Sequence, residues 1–494
     1  MIRRSKTILP LIALTLVCLL SPLSCGEKND PDNGGSPVTK PEEKPSEGQI
    51  DIYTTSADRK HDFELTHASF EAPSAAVSTL TLSGDTFQTV DGFGAAITQS
   101  SCYNLLKMTQ DRRTAFLKEV FDPKEGLGSS MIRVCIGGSD FSMDEFTWCD
   151  KEGISNFAVH PLDEQYLFPI LKEIFAINPA VKIVASPWSS PRWMKLDTNL
   201  KGKFNSWTSG RLNPDCYDDY ATYFVKWIQE MESRGFPIYA ITMQNEPLNH
   251  GNSMSLYMPW QDQRDFLKNA LGPSLLKANL PTKVLLYDHN YDQWSYPANI
   301  LADPEAAMYA AGSAWHNYGG SVNDLDKYLA KYPDYDLYFT EASIGTWNHV
   351  NFSDNFIADF KSTTFDVLAR GSKGTVLWNL MLDQEHSPYR PGGCGTCWGA
   401  VTINNTDYST IGKNTHYYFI AHASKVIRPG AVRLGVKGNT SQGLSVQAYR
   451  NTDGSLGLLI LNEGNDVRIT FSTDKHSARF DVAGKSIISV KWVD

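Results

Sequence analysis

The sequence predicts an α/β protein, a (β/α)8 TIM barrel that carries a side β-sandwich built from both chain termini. Three observations predict this fold. Eight short apolar runs alternate with helical stretches between Gly92 and Asn379, strands with polar turns follow residue 416, and similar strands precede the barrel. Continuous apolar runs are typical of buried parallel strands, and eight successive β-then-α units fit this barrel.

Composition and charge limit the class of protein. The 494 residues are 41% hydrophobic, 12% aromatic and 20% charged, as in globular proteins, and at about 150 residues per domain they allow roughly three domains. The formal charge is −10 and no Lys/Arg-rich run occurs, so we expect no nucleic-acid partner. The 12 Trp and 22 Tyr favour a ring-shaped ligand, although packing is the commoner use of any single Trp.

The first residues are interpreted as a lipoprotein signal peptide (1–24) and a flexible tether (25–49). A basic start precedes an apolar run, Ile8–Leu20, that is short for a membrane span and typical of a secretory signal. The Leu-Ser-Cys25 motif resembles a bacterial lipoprotein box with Cys25 as the lipidated residue, although Pro22 stands where an aliphatic residue is usual. We expect a lipid anchor to a membrane through Cys25, at the outer membrane or cell surface; a periplasmic or secreted protein is the alternative.

The barrel is predicted over residues 87–415. Its strands are expected at Gly92–Thr98, Met131–Gly137, Val181–Trp188, Tyr239–Asn245, Val284–Asp288, Ser313–His316, Leu337–Glu341 and Thr375–Asn379. Helical stretches between them include Tyr217–Arg234, Trp260–Ala278 and Ser353–Ala369. No internal repeat favours a solenoid or propeller instead.

The flanks, residues 50–86 and 416–494, are predicted to form one split β-sandwich. The expected strands include Ile50–Thr55, Ala76–Leu82, Ser445–Tyr449, Gly457–Leu461 and Ser486–Val493. Two separate β pieces would be the alternative, but the short N-terminal strands would then have little to pack on.

Six cysteines lie beyond the leader, and the spacing of two of them is informative. Cys394 and Cys397 form a CxxC motif, which is either a zinc half-site or a local disulfide. The sequence has no second CxxC and no nearby His pair, so the disulfide is favoured and no metal is expected. Cys135 lies in an apolar run and is predicted to be a buried thiol, whereas the pairing of the remaining three is open.

Two glutamates follow barrel strands, where the βα loops of this fold converge on the site. Glu246 follows the fourth strand within Asn245-Glu246-Pro247, and Glu341 ends the seventh. Such a pair is what a retaining glycosidase needs, one carboxyl as acid and the other as nucleophile. A single Glu here is more often an ion-pair or capping residue, but two make that reading improbable.

The surroundings suggest how the two glutamates differ. Burial and the charge of Glu341 are expected to raise the pKa of Glu246, which would hold it protonated as the general acid. Arg133 either points inward and stabilises Glu341 as a carboxylate or forms an ordinary ion pair. Asn245 could bond the sugar 2-hydroxyl, with backbone capping as its alternative.

These motifs resemble glycoside hydrolase family 30, which includes glucosylceramidases and endo-β-1,6-glucanases. The resemblance covers about residues 85–435, and its carriers are Asp91–Ala96, Arg133–Ser142, Ser186–Lys195, Asn245-Glu246-Pro247, Trp315-His316 and Thr340-Glu341. It implies the barrel with a side sandwich, Glu246 as acid/base and Glu341 as nucleophile.

The resemblance also implies a binding pocket for the non-reducing glucose at the −1 position. The residues it places there are Asp140, Trp188, Asn245 and Trp378, and Trp315 and His316 stand at the rim where glucosylceramidases have Trp-Tyr. The alternatives are core packing for each Trp, a loop cap for Asp140 and a structural role for His316.

The sequence therefore predicts a retaining endo-β-1,6-glucanase that acts on pustulan-like or fungal β-glucan, as polysaccharide or oligosaccharide, without a cofactor. A glucosylceramidase or exo-β-glucosidase is the alternative among enzymes. A non-catalytic surface glycan-binding protein is the alternative outside them, and the two intact carboxylates count against it. Motifs of dinucleotide enzymes, serine hydrolases and zincins are absent from the sequence.

Overall fold

The computed structural model describes residues 49–71, 78–252, 254–347 and 351–493. The predicted signal peptide, the lipidation site Cys25 and all but the last residue of the tether lie outside the described residues. None of the helices in the described part of the chain has the length and apolar character needed to span a bilayer.

Eight parallel strands form the barrel, which confirms the predicted fold class. In chain order they are Gly92–Ala95, Met131–Cys135, Lys182–Ser186, Ile238–Thr242, Lys283–Asn290, Gly312–His316, Asp336–Glu341 and Ser372–Leu377. The eighth strand pairs with the first, and a bridge between Ala96 and Arg133 joins the first to the second, so the sheet closes.

Helices surround the barrel strands. They span Gln99–Lys107, Gln110–Phe121, Phe168–Ile177, Tyr217–Ser233, Trp260–Phe266, Gly272–Lys277, Ser295–Leu301, Pro304–Ala307, Leu325–Leu329, Phe352–Phe360, Asp366–Ala369 and Thr415–Val426. Single π-helical turns at Asp163–Leu167, Leu267–Leu271 and Lys361–Phe365 adjoin or join them. Two predicted helices, Trp260–Ala278 and Ser353–Ala369, are therefore continuous stretches interrupted by a π turn.

Alternate residues of each barrel strand belong to two different parts of the hydrophobic core, one inside the barrel and one between the barrel and its helices. Val184, Ala240 and Leu285 point into the barrel, whereas Ile183 and Ile241 point outward to the helices. Side chains of successive strand residues face opposite sides, so apolar residues on both faces make the continuous runs seen in the sequence.

The sandwich contains nine hydrogen-bonded strands from both ends of the chain. They span Gln49–Ser56, Asp62–Ser69, Ser78–Thr89, Val432–Asn439, Leu444–Arg450, Leu456–Asn462, Val467–Ser472, Ser477–Val482 and Ser486–Trp492. The first strand pairs with the last, Ile52 opposite Val490, and the third lies between two C-terminal strands. One sandwich made from both termini is thereby confirmed.

Three small sheets of short strands connect the loops that follow the barrel strands. They are Lys195–Leu196 with Arg211–Leu212, Ile344–Gly345 with Cys397–Trp398, and the three-stranded set Met381–Asp383, Val401–Ile403 and Ile411–Lys413. The second pair joins the loop that follows Glu341 to the loop that contains the CxxC motif.

Candidate active site

Arg133, on the second barrel strand, is the centre of the site. Its guanidinium is fully buried, donating from Nη2 to Asp288 Oδ2 at 2.8 Å and to Asn245 Oδ1 at 2.7 Å. Nη1 donates to Glu341 Oε2. Arg133 therefore points inward as the first alternative expected, and it fixes the orientation of three side chains from different strands.

Asp288, which the sequence analysis missed, is the second centre. It is fully buried on the fifth strand and accepts hydrogen bonds from the hydroxyls of Thr242 and Thr340 at 2.7 and 2.6 Å. Burial raises its pKa, but the charge of Arg133 and the hydrogen bond from His316 outweigh burial and hold that pKa far below its usual range. Asp288 is thus a fixed anion that orients Arg133 and His316.

Glu246 stands just beyond the fourth strand with a left-handed backbone, φ 44°. Its Oε2 accepts from Asn249 Nδ2 at 2.7 Å, and its Oε1 lies 3.2 Å from His316 Nδ1 and 3.9 Å from His289 Nε2. Left-handed backbone at a non-glycine residue costs of order 1–3 kcal/mol and occurs at functional sites more than elsewhere. The conformation brings the carboxyl back over the barrel mouth.

Glu341 ends the seventh strand opposite Glu246. Its Oε1 accepts from the hydroxyl of Tyr318 at 3.1 Å, and its Oε2 accepts from Arg133. One carboxylate oxygen of each glutamate and one ring nitrogen of His316 all lie within 4.8 Å of one another. The two carboxyls that the sequence analysis selected are therefore adjacent, at the separation typical of retaining rather than inverting glycosidases.

The protonation of the pair differs from the expectation. Burial raises the pKa of Glu246, but the hydrogen bond from His316 and the nearby charge of His289 outweigh burial and lower it to about 2. The prediction that burial and the charge of Glu341 hold Glu246 protonated is wrong for the site without substrate, because His316 supplies a cation that the sequence argument did not include. Burial raises the pKa of Glu341 despite the opposing charges of His316 and Arg133.

His316 holds the proton in this arrangement. Burial lowers its pKa, but the negative charge of Glu341 and the hydrogen bonds to Asp288 and Glu246 outweigh burial and raise it to about 9. Its Nε2 lies 3.0 Å from Asp288 Oδ1, so the ring bridges two carboxylates. The three ligand-type side chains Glu246, His316 and Glu341 could also hold a cation in principle, but the guanidinium of Arg133 already neutralises Glu341, so this donor set suits acid–base chemistry better.

Three further candidates, Asp140, Trp188 and Trp378, follow the second, third and eighth barrel strands. The two indole rings stack with centroids 5.0 Å apart, and the Arg133 guanidinium lies 5.0 and 5.4 Å from their centroids. Asp140 is buried, and its Oδ1 has no hydrogen-bond partner in the described part of the chain. Burial, with the charges of Glu341 and Glu246, raises the pKa of Asp140 well above its usual range. A buried acceptor without a donor is costly, so this atom is suited to receive a ligand hydroxyl.

Trp315 does not reach the site, which corrects the expectation that it binds substrate. Its ring is fully buried outside the barrel among Tyr287, Tyr291 and Tyr328, and its Nε1 donates to Ser313 Oγ at 2.8 Å. His316, the next residue, points inward. Strand side chains alternate, so adjacent residues cannot both face the substrate.

The CxxC loop is closed by a disulfide between Cys394 and Cys397, as predicted, and Cys135 is a free buried thiol. Cys102, Cys149 and Cys216 are also free. The loop packs on the site, since the backbone N–H of Arg390 donates to the carbonyl of Asp140 at 2.7 Å.

Comparison with known proteins gives consistent matches. The family model described as the Glycosyl hydrolase family 30 TIM-barrel domain matches residues 90–427, and the family 30 beta sandwich domain matches residues 430–490. A solved structure of an endo-β1,6-glucanase is 47% identical with a TM-score of 0.88, covering 90% of this chain and 100% of its own. An endo-1,6-β-D-glucanase of Trichoderma harzianum is 33% identical over 411 residues, 78% of this chain and 80% of its own. The lysosomal acid glucosylceramidase of Mus musculus is 27% identical over 419 residues, 78% and 77% of the two chains.

Proposed function

The chain belongs to glycosyl hydrolase family 30, and from that premise we propose that it is an endo-β-1,6-glucanase that acts with retention of configuration. The observation that carries the mechanism is the pair Glu246 and Glu341, adjacent at the barrel mouth and differently supported. Carboxyl groups about 5 Å apart leave room for direct attack on the sugar, whereas an inverting enzyme needs a wider gap for water.

Glu341 is the proposed nucleophile. Arg133 and Tyr318 bond its two oxygens and fix its orientation toward the substrate. Attack on the anomeric carbon forms a glycosyl ester and breaks the glycosidic bond, while the leaving oxygen takes a proton from Glu246. In the second step Glu246 takes a proton from water, the water oxygen attacks the same carbon and the ester breaks.

The proton of Glu246 is supplied by its pair with His316. Their atoms Oε1 and Nδ1 lie 3.2 Å apart, so one proton can move from the imidazolium to the carboxylate and leave both groups neutral. The His316 Nε2–H stays bonded to Asp288. Substrate that covers the pair excludes water, and the neutral form is favoured in a drier site because burying charge is costly.

The glucose before the scissile bond is proposed to occupy the pocket of Asp140, Trp188 and Trp378. The unpaired Oδ1 of Asp140 would accept a sugar hydroxyl, and the indoles would wall the ring. Asn245, held by Arg133, would bond the 2-hydroxyl. These contacts strengthen as charge develops at the anomeric carbon.

The substrate proposal rests on the relatives, since endo-β-1,6-glucanases are the most similar proteins described above. A product profile on pustulan, laminarin, xylan and glucosylceramide tests it. We expect oligosaccharides from pustulan and no products from the other three. Cleavage of glucosylceramide alone would replace the proposal with the glucosylceramidase alternative, and no cleavage of any glycoside would favour a glycan-binding protein.

The roles of the two glutamates are tested by Glu341→Gln and Glu246→Gln. Glu341→Gln should abolish turnover of every substrate, whereas Glu246→Gln should retain the first step on a substrate whose leaving group needs no proton. Azide should then accelerate the Glu246→Gln variant, because a small anion can attack the glycosyl ester without a general base. Undiminished turnover by Glu341→Gln would overturn the assignment of the nucleophile.

For its cellular location we propose an exported lipoprotein anchored through Cys25. The support is the sequence alone, the basic start, apolar run and Leu-Ser-Cys25 motif. Metabolic labelling with a fatty acid in a bacterial host should label the wild type and not Cys25→Ala. Equal labelling of both would contradict the anchor, and surface proteolysis of intact cells would distinguish the outer face from the periplasm.

A further inference from the structure

A second cavity, of about 320 Å³, lies beside Glu341. Loops after the sixth and seventh strands form its wall, and its lining includes Asn317, Tyr318, Ala342, Ser343, Trp347 and Asp359. Ala342 directly follows Glu341 in sequence, and the hydroxyl of Tyr318 donates to Glu341 Oε1. The cavity is therefore next to the reacting groups, and its lining includes none of the three pocket residues Asp140, Trp188 and Trp378.

Two aromatic side chains in this lining are unusually exposed. Trp347 is 50% exposed and Tyr318 is 43% exposed, whereas Trp188, Trp315 and Trp378 are at most 2% exposed. An exposed indole at a cavity mouth contributes little to the core, and aromatic faces bind the apolar faces of sugar rings.

The Trp347 ring is held in place by the backbone beneath it. A Cβ at Gly345 would lie 1.9 Å from the indole, so the ring rests directly on this glycine. Gly345 pairs with Cys397, and the N–H of Thr346 donates to the carbonyl of Thr396 at 3.1 Å. The disulfide loop thus supports the strand on which Trp347 stands, and a preorganised ring loses less entropy on binding.

The direction of a bound chain follows from these positions. Asp140, Trp188 and Trp378 belong to loops after strands two, three and eight, and Glu246 follows strand four. The cavity belongs to loops after strands six and seven. In the order of the closed sheet, strands two and three lie opposite strands six and seven, so a polymer that leaves the first pocket past the two glutamates can reach this cavity.

We propose that the cavity is a leaving-group subsite that binds the glucosyl unit on the reducing side of the scissile bond, with the sugar ring on Trp347. The polar groups of Asn317, Ser343 and Asp359 would face its hydroxyls. The inference rests on the proposed function, because an endo-acting enzyme needs binding sites on both sides of the bond it cleaves.

Trp347→Ala tests the subsite by comparing two substrates. One is β-1,6-linked glucotetraose, which places a sugar in the cavity, and the other is an activated aryl β-glycoside cleaved by the wild type, whose leaving group is not a sugar. We expect kcat/KM on the oligosaccharide to fall about tenfold or more and kcat/KM on the aryl glycoside to change less than about twofold. Trp347→Phe should restore most of the loss.

Phe87→Ala is the matched control, because Phe87 is an aromatic residue of the sandwich that is 49% exposed. It should leave both substrates unaffected. Equal losses on both substrates, or no loss on either, would overturn the subsite. If the wild type does not cleave β-1,6-glucan, the proposed function fails; the same comparison is then made with whichever glucoside oligomer it cleaves, so the two failures are distinguishable.

Discussion

His316 connects the acid/base candidate to the rest of the site. It bridges Glu246 and Asp288, and that contact reverses the protonation that burial alone would give Glu246. At Glu246 the direct hydrogen bond from His316 and the nearby charge of His289 together stabilise the charged form by more than burial penalises it. The general acid is therefore a pair of groups that shares one proton.

The pH profile of kcat/KM tests this sharing. The pKa of His316 is raised to about 9, so the pair keeps its proton up to that pH and loses it above, and wild-type activity should fall as the pH rises through about 9. His316→Gln keeps a hydrogen-bonding side chain but cannot hold that proton. Its alkaline limb should move down by at least about one pH unit, because the carboxyl of Glu246 alone then sets it.

His61→Phe provides the control, because His61 is a partly exposed residue between two strands of the sandwich and belongs to no part of the barrel. Its profile should match the wild type. An unchanged alkaline limb in His316→Gln would contradict the shared proton, whatever the loss in rate.

The sequence indicated part of the site because some residues follow recognisable strands. Glu246 follows one predicted strand and Glu341 ends another, and these positions at the carboxyl ends of strands were enough to select them. Asp288 was missed although it ends the predicted strand Val284–Asp288, because its role depends on five donors from five other barrel strands, which no local pattern encodes. Tyr318 was missed because its contact with Glu341 depends on how a loop folds.

At the scale of elements, one buried lysine organises the loop between the third strand and the next helix. Lys195 Nζ lies 2.9–3.2 Å from the carbonyl oxygens of Ser206, Trp207, Ser209 and Ser255, which share its three N–H donors. Three of these belong to its own loop and the fourth to the loop after Glu246. Trp207, in turn, packs on the aromatic cluster of Trp188 and Trp378.

Lys195→Met is expected to loosen both loops. Four carbonyl oxygens lose their shared donor, and buried polar groups without partners cost about 1–3 kcal/mol each unless the loop opens to water. We expect a lower melting temperature and a raised KM on β-glucan, with a smaller change in kcat. Lys203→Met, on the same loop but 79% exposed, should behave as the wild type. A raised KM in both variants would show that loop charge rather than this anchor is responsible.

The first barrel strand approaches the second closely at Gly94. A Cβ at Gly94 would lie 1.9 Å from the carbonyl oxygen of Met131, so this close approach of the two strands leaves no room for a side chain at position 94. Gly94→Ala should therefore lower the free energy of unfolding by about 1–3 kcal/mol or more, measured by urea denaturation. Gly412→Ala, whose Cβ would meet its nearest atom at 3.8 Å, should have little effect. Equal stability of the two variants would mean that the first and second barrel strands can move apart at Gly94 without loss of stability.

At the scale of the whole molecule, the fold was more predictable from the sequence than the site was. Apolar runs mark strands because each barrel strand is buried on both faces, and this holds for all eight. The direction in which a single side chain points was harder to predict, because a continuous apolar run does not show which of its residues point into the barrel. Trp315 was predicted to face the substrate and instead points outward. The position of the helix Thr415–Val426, buried along its length between barrel and sandwich, also depends on contacts that no local pattern encodes.

His422 in that helix connects both ends of the chain. Its Nδ1 lies 2.8 Å from Ser489 Oγ on the last strand of the sandwich, and its Nε2 lies 2.8 Å from Thr55 Oγ1 on the first strand of the sandwich. Burial lowers the pKa of His422 to about 3, so the ring is neutral in the folded protein. An unfolded histidine has a pKa of about 6.5, so between these values the unfolded chain binds one more proton than the folded chain.

Acid should therefore weaken the contact between the helix and both halves of the sandwich. As the pH falls below about 6.5, protonation of the unfolded state costs up to about 1.4 kcal/mol of stability per pH unit, until the folded-state pKa is reached. His422→Gln keeps a side chain that can donate and accept but does not titrate, so its unfolding free energy should fall less steeply between pH 6.5 and pH 4.5. Denaturation measured at several pH values gives both slopes. Parallel slopes would mean that His422 is not the acid-sensitive group between barrel and sandwich. A flatter slope in the variant would show that the loss of stability in acid arises at His422, in the helix that joins the barrel to the sandwich.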